Sequence, residues 1–222
     1  PDYITRQLIC ETLGKIGSPK AEPILRAALK EDSSLRVKRT AAQALGVLGC
    51  VESISLILES LGEKSPDETV EALRQMGPKA IPVLEEALDT LEDDTWQTAA
   101  RALESLGWQP EKNAEGARYW VRRGVFEECL PIGKEAVPVL IEEIAKPSSR
   151  QEAQVLETLK SMKAAAIPAL TEMLKSGNPD TITAVPTALE ALGWGPEEDA
   201  LGARYWACKG EYQQCIAIGR EA

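Results

Sequence analysis

Apolar residues recur every three or four positions along most of the chain, which is the spacing of one face of an α-helix. In the stretch SSLRVKRTAAQALGVLG, residues 33–49, one stripe contains Val37, Ala41, Ala44, Leu45 and Leu48. A serine precedes the stripe and Gly49 follows it, as expected for a capped helix that ends in a left-handed glycine. The pattern predicts an all-α fold.

Two marks recur and define a repeat. The first is a proline inside an apolar run, at Pro23, Pro82, Pro138 and Pro168, with Ser53 in the corresponding place. The second is a closing dipeptide that ends at Gly17, Gly49, Gly77, Gly107 and Gly193, with Met162-Lys163 as the departure. Successive closings are 32, 28, 30, 56 and 30 residues apart, so the long interval is one ordinary repeat preceded by an insertion of 26 residues.

Each repeat is predicted to be a pair of helices, the first beginning near its proline and the second ending at the closing position. Neither helix can bury its stripe alone, so successive pairs must stack into an α-solenoid. We expect about eleven principal helices in one solenoid over residues 1–222 and a kink at Pro186. The expected repeats are a half repeat 1–17, then 20–49, 50–77, 78–107, 134–163 and 164–193, with helical hairpins inserted at 108–133 and 194–219.

The two insertions belong to near copies of one segment, since residues 106–136 and 192–222 share 17 identities in 31 positions. In the first copy, Asn113 is expected to cap a helix that runs through Arg123, and a second short helix is expected from Val125 to Ile132. The insertions contain the aromatic residues Trp108, Tyr119, Trp120, Trp194, Tyr205 and Trp206. We interpret these rings as apolar contacts that hold each hairpin to the solenoid, in preference to a ligand pocket.

Charge and cysteine content exclude several classes of function. The net charge of −10 and the lack of a basic stripe argue against nucleic acid as a partner. No apolar run approaches the ~20 residues that span a membrane. The five cysteines show no CxxC spacing, which argues against a disulfide framework and a zinc site and favours a cytoplasmic protein with reduced thiols.

Histidine is absent from the sequence. This removes the commonest general base and the commonest metal ligand, and it excludes Ser-His and Cys-His nucleophile systems. The acidic residues lie mostly at helical surface spacing, as on a solvated face. We therefore predict a protein that is not an enzyme and has no metal and no cofactor.

The stretch LRVKRTAAQALGVLG followed by a proline-bearing helix resembles the short HEAT repeats of phycobilisome-lyase-type HEAT proteins, over residues 1–193 apart from the insertion. The resemblance implies an armadillo-like α-α superhelix whose second helices line a concave surface. Only the repeat closing at Gly49 keeps the Leu-Arg start, at Leu35 and Arg36. Three kinds of enzyme with similar repeats fit this sequence poorly. Phycobilin lyases attach a chromophore, but no residues here mark a chromophore site. Deoxyhypusine hydroxylase binds iron through histidine, which this sequence lacks, and HEAT-like DNA glycosylases need a basic groove.

The second helices predict a ladder of polar contact positions. Counting six residues back from each closing position gives Glu11, Gln43, Glu71, Arg101, Glu157 and Thr187, and neighbouring positions add Arg39, Arg74, Gln97, Glu104 and Lys160. The mixed signs suit a protein or peptide partner better than a polyanion. The sequence thus favours a protein-interaction scaffold. The alternatives are a bilin-lyase-like enzyme or chromophore-protein chaperone, and a purely structural segment of a larger repeat protein.

Both ends of the sequence lie inside the repeat pattern. The first residues read as a second-type helix alone, and the final IGREA matches an earlier IGKEA that continues into a proline-bearing helix. We therefore expect a fragment of a longer array, with end-to-end self-association through the exposed ends.

Overall fold

The computed structural model describes residues 1–146 and 150–221, with the side chains of residues 220 and 221 excepted. Within these residues the chain forms α-helices joined by turns and contains no strand. The helices are α1 (Tyr3–Ile16), α2 (Glu22–Glu31), α3 (Leu35–Leu48), α4 (Ile54–Leu61), α5 (Pro66–Gln75), α6 (Ile81–Leu88), α7 (Asp93–Ser105), α8 (Ala114–Arg123), α9 (Val137–Ala145), α10 (Glu152–Ser161), α11 (Lys163–Ser176), α12 (Ala184–Ala191), α13 (Ala200–Cys208) and α14 (Tyr212–Glu221). The prediction of an all-α solenoid is confirmed.

The helices divide into two compact units, residues 1–109 and 110–222. The first unit contains α1 followed by the pairs α2–α3, α4–α5 and α6–α7. The second contains α8, the pairs α9–α10 and α11–α12, and the hairpin α13–α14. The predicted hairpins thus correspond to α8 with the turn after it and to α13–α14.

The first unit is held together by one apolar cluster. Leu25 and Leu29 of α2, Leu45 of α3, and Ile54 and Ile57 of α4 are completely buried in it. Within a helix these residues are three or four positions apart. The apolar stripe seen in the sequence is therefore the helix face that packs into the core.

The second helices of successive pairs approach one another closely because small residues lie between them. A Cβ atom added to Gly46 of α3 would lie 2.3 Å from the carbonyl oxygen of Ala72 on α5. A Cβ added to Gly14 of α1 would lie 2.9 Å from the Cβ of Ala44 on α3. The order α1, α3, α5, α7 therefore forms one continuous layer of adjacent helices.

Closing glycines end the second helices as the sequence predicts. Gly49 has φ of 68°, and its N–H donates to the carbonyl oxygens of Leu45 and Gly46. The closing dipeptide Met162-Lys163 has a lysine in place of the usual glycine. There α10 continues through Met162, which has φ of −86°, directly into α11. Because α11 begins at Lys163, Pro168 lies inside it, and not close to its start as in α2, α6 and α9.

Two local predictions were wrong. The second helix expected from Val125 to Ile132 is a 3-10 turn at Phe126–Cys129, too short to close an α-helical turn of its own. Pro186 does not kink its helix, because α12 begins only at Ala184. The proline then lies in the first turn, where its missing N–H has no intrahelical partner to lose.

Candidate binding surface

The predicted polar positions of the first unit lie on three adjacent helices. Arg39 and Gln43 lie on α3, Glu71 and Arg74 on α5, and Gln97, Arg101 and Glu104 on α7. We call these seven residues the polar ladder. Packing of α3 against α5 and of α5 against α7 places them on consecutive helices.

Ion pairs between helices hold two of the ladder arginines. Arg101 of α7 donates from Nη2 to Oδ1 of Asp67 on α5 at 2.6 Å. Arg39 of α3 donates from Nε to the Ser65 hydroxyl at 2.8 Å, and its Nη1 lies 3.0 Å from Oε1 of Glu68. Each arginine therefore reaches the beginning of α5 from a neighbouring helix, and these contacts orient its guanidinium.

A third pair lies within α5. The guanidinium of Arg74 donates to both carboxylate oxygens of Glu71, at 2.9 and 2.7 Å, and Gln75 donates to the same carboxylate at 3.0 Å. These hydrogen bonds, first from Arg74 and then from Gln75, lower the pKa of Glu71. The charges of Glu71 and Arg74 therefore neutralise each other. Together with Gln75 they offer oriented hydrogen-bond donors and acceptors but little net charge.

Gln43 lies in a shallow groove across α1, α3 and α5. Gly14 and Ala44 line it together with Glu11, Lys15, Thr40, Val47 and Gln75. The side chain of Val47 is 61% exposed there, so this mostly polar surface includes one exposed apolar side chain. Sequence reasoning missed Val47 and Gln75, although Lys15, Val47 and Gln75 each stand two residues before a closing glycine.

The remaining predicted positions are less informative. Gln97 and Glu104 are half-buried, and each has a partner within the chain. In the second unit, Lys160 pairs with Glu157 at 3.5 Å along α10, and Thr187 is exposed on α12. The structure thus brings together the ladder of the first unit, while the functional role of all these residues stays a prediction.

The aromatic residues of the second insertion form a compact group around Tyr205, which is 2% exposed. Its ring meets that of Trp206 edge-on at 5.1 Å and that of Trp194 at 5.6 Å between centroids. Its hydroxyl donates to Oε1 of Glu190 at 2.8 Å, and Lys209 donates to the same carboxylate oxygen. Burial, and then the bond to Glu190, raises the pKa of Tyr205.

The aromatic residues of the first insertion also pack within the protein. The rings of Tyr119 and Trp120 meet edge-on at 5.1 Å, and Tyr119 is buried. The indole N–H of Trp108 donates to Oε1 of Glu85 at 2.5 Å. These contacts are consistent with the interpretation that the aromatic residues hold the hairpins to the solenoid. That interpretation stays a prediction until the aromatic residues are substituted.

Three of the five thiols are buried. Burial raises the pKa of Cys129 to about 11, and Cys10 and Cys50 are also buried with raised pKa values. Among residues 1–146 and 150–221, no three His, Cys, Asp or Glu side chains are grouped so that they could hold a metal ion. The same residues contain no helix with the length and apolar content needed to cross a membrane.

Comparison with known families adds to this picture. Residues 1–76, which span α1 to α5, match the family model of HEAT repeats. This part of the chain is HEAT-like. The matched region contains α1 and the pairs α2–α3 and α4–α5, so the similarity to HEAT repeats covers those helices.

A designed armadillo repeat protein is similar in structure, with a TM-score of 0.32 and 20% identity over 86% of this chain and 95% of that chain. A likeness of this size has no bearing on function. No match was found among curated proteins.

Proposed function

We propose that the protein is a non-enzymatic, cytoplasmic scaffold that binds an extended segment of another protein along the polar ladder. The observation that carries the proposal is the alignment of exposed and half-buried polar side chains on α3, α5 and α7, two of them in the cross-helix pairs Arg39–Glu68 and Arg101–Asp67. Side chains that are fixed before binding lose less conformational entropy when a partner arrives.

The chemistry of the ladder favours a peptide over a polyanion. Its arginines are already engaged by carboxylates, so they offer few free positive charges to phosphate groups. Gln43 and Gln75 carry amide groups that can both donate to and accept from a peptide main chain. The exposed Val47 beside them supplies a contact for one apolar side chain.

The experiment selects peptides from a displayed library on the whole chain and measures their affinity for variants by calorimetry. We expect Gln43→Ala and Arg101→Ala each to weaken binding about tenfold, which corresponds to ~1.4 kcal/mol. Glu71→Ala is paired with Glu86→Ala, which makes the same change of charge at an exposed position on the first-type helix α6. Only the change at Glu71 should weaken binding.

Two results would overturn the proposal. One is a set of selected peptides that bind all ladder variants as tightly as the unchanged protein. The other is an absorbing chromophore that co-purifies with the chain in stoichiometric amount, which would support the bilin-lyase-like alternative. Unchanged melting temperatures of the variants are the control for folding.

A further inference from the structure

The part of α3 that lines the groove carries no charge. Its side chains Thr40, Gln43 and Val47 follow one another at three- and four-residue spacing along the helix. We call these three residues the uncharged row. The same positions on the other second helices of this unit, counted back from each closing glycine, include charged residues: Glu11 and Lys15 on α1, Glu68 and Glu71 on α5, and Arg101 on α7. The row therefore differs in chemistry from the surface on both sides of it.

The row is open to solvent although its helix has neighbours on both sides. The helix α3 packs against α1 and against α5. Between these neighbours Gln43 is exposed, and the side chain of Val47 is 61% exposed. A single exposed valine is ordinary on a protein surface. What distinguishes Val47 is its place in a groove, next to the small residue Ala44.

The groove has room for one side chain of a partner. Its lining includes the small residues Gly14 of α1 and Ala44 of α3, which meet so closely that a Cβ added to Gly14 would lie 2.9 Å from that of Ala44. Its volume is about 320 Å³. This is near the lower limit of the ~300–1,000 Å³ of small-molecule pockets, so the groove suits a side chain better than a whole ligand.

The charges around the row are already paired. On α1, Lys15 donates from Nζ to Oε1 of Glu11 at 2.6 Å. On α5, the carboxylate of Glu71 accepts hydrogen bonds from Arg74 and Gln75. A charged side chain that entered the groove would compete with these solvated pairs and would gain little. An aliphatic side chain meets no such competition and buries apolar area against Val47.

Gln43 supplies the polar half of the row. In the part of the chain that the structure describes, its side-chain amide has no hydrogen-bond partner. The amide of Gln75 differs, because it already donates to Glu71. A free amide can accept from the N–H and donate to the C=O of a peptide main chain. Since Gln43 and Val47 are about one helical turn apart, neighbouring residues of an extended segment can contact both.

We propose that the uncharged row is the anchor site for the peptide segment, and that it selects one aliphatic side chain of the leucine, isoleucine or methionine type. This side chain enters the groove between α1 and α3 and packs against Val47, while Gln43 pairs with the main chain beside it. The inference rests on the proposed function, because it names the partner residue that the ladder surface recognises.

The test uses the whole chain and the tightest peptide selected from the displayed library. Replacing the peptide residues by alanine one at a time should reveal one aliphatic residue whose loss weakens binding at least about tenfold. Val47→Ser should weaken binding by a similar factor, but it should have no further effect on the peptide that lacks this side chain. Such a double-mutant cycle identifies a direct contact.

Ile24→Ser is the matched control. Ile24 is an aliphatic residue of similar exposure, 55%, on the first-type helix α2, and it does not line the groove. This variant should bind the peptide normally. Because both side chains are largely exposed, the melting temperatures of Val47→Ser and Ile24→Ser should stay close to that of the unchanged protein.

A second selection on Val47→Glu gives an independent readout. The groove then has an excess negative charge, so lysine or arginine should replace the aliphatic residue at the same position of the selected peptides. The inference is overturned, and the proposed function kept, if the peptides depend on Arg101 but bind Val47→Ser as tightly as the unchanged protein, or if Val47→Glu selects the same aliphatic residue. If no peptide is selected, or if no ladder variant weakens binding, the proposed function fails and the inference fails with it.

Discussion

Tyr205 and Glu190 join the last inserted hairpin to the helix before it. The tyrosine hydroxyl of α13 donates to the carboxylate of α12 across a distance of 2.8 Å, and the tyrosine ring is almost completely buried. Lys209 donates to the same carboxylate from the end of α13. The hairpin is thus fixed by one buried ring and by one acceptor shared between two donors.

Removing this hydroxyl should destabilise the protein. We expect Tyr205→Phe to lower the free energy of unfolding by about 1–2 kcal/mol, because a hydrogen bond to a charged acceptor is lost while the ring stays packed. Tyr212→Phe is the matched control, since Tyr212 is 66% exposed. Urea denaturation of the two variants measures the difference, and equal midpoints would contradict the role given to Tyr205.

The same carboxylate predicts a pH dependence. Hydrogen bonds from Lys209 and then Tyr205 hold the pKa of Glu190 below its usual value of 4.5. A carboxylate whose pKa is lowered by folding stabilises the folded state above the unfolded pKa, and that stabilisation disappears as the pH falls through the folded pKa. The stability difference between the protein and Glu190→Gln should therefore be constant near neutral pH and vanish in acid. A difference that persists at pH 2 would contradict this.

Two glycines should resist substitution for a reason that sequence alone does not reveal. A Cβ atom at Gly202 would lie 1.8 Å from the carbonyl oxygen of Glu197, and one at Gly116 would lie equally close to that of Glu111. Gly202→Ala should therefore cost about 1–3 kcal/mol, because the loop before α13 must move. Gly195→Ala is the control, since nothing lies within 4 Å of its added Cβ. Thermal denaturation distinguishes the two.

The sequence could predict the helical pairs because the signals are local. Apolar spacing, prolines near helix starts and left-handed glycines such as Gly49 each act within one or two turns of chain. The ladder positions followed from the same counting. The pairs Arg39–Glu68 and Arg101–Asp67 could not be predicted, because they depend on how closely neighbouring helices approach. The distance between α3 and α5 is set by Gly46 meeting the backbone of Ala72, which no periodicity encodes.

That close approach gives a prediction that links packing to the ladder. Gly46→Ala should separate α3 from α5, because its Cβ would lie 2.3 Å from a carbonyl oxygen. We expect a loss of about 1–3 kcal/mol in stability together with weaker peptide binding. Gln43→Ala, one turn away on α3, should weaken binding with little change in stability, since Gln43 is exposed. Calorimetry measures peptide binding by both variants, and urea denaturation measures their stability. If Gly46→Ala is destabilised but binds the peptide as tightly as the unchanged protein, helix spacing does not control the ladder.

The reactivity of the five cysteine thiols tests how deeply each of them is buried. Cys10, Cys50 and Cys129 are buried, and burial raises the pKa of each, which suppresses the thiolate that alkylating reagents attack. Cys208 and Cys215 are only partly buried, so reagents can reach them, although burial also raises the pKa of Cys208. Iodoacetamide at neutral pH should therefore modify Cys208 and Cys215 first, and the other three only when urea unfolds the chain. Mass spectrometry of the digested protein gives the order of labelling. Rapid modification of Cys129 in the native protein would mean that the turn at Phe126–Cys129 opens readily and that α9–α10 do not cover the first segment tightly.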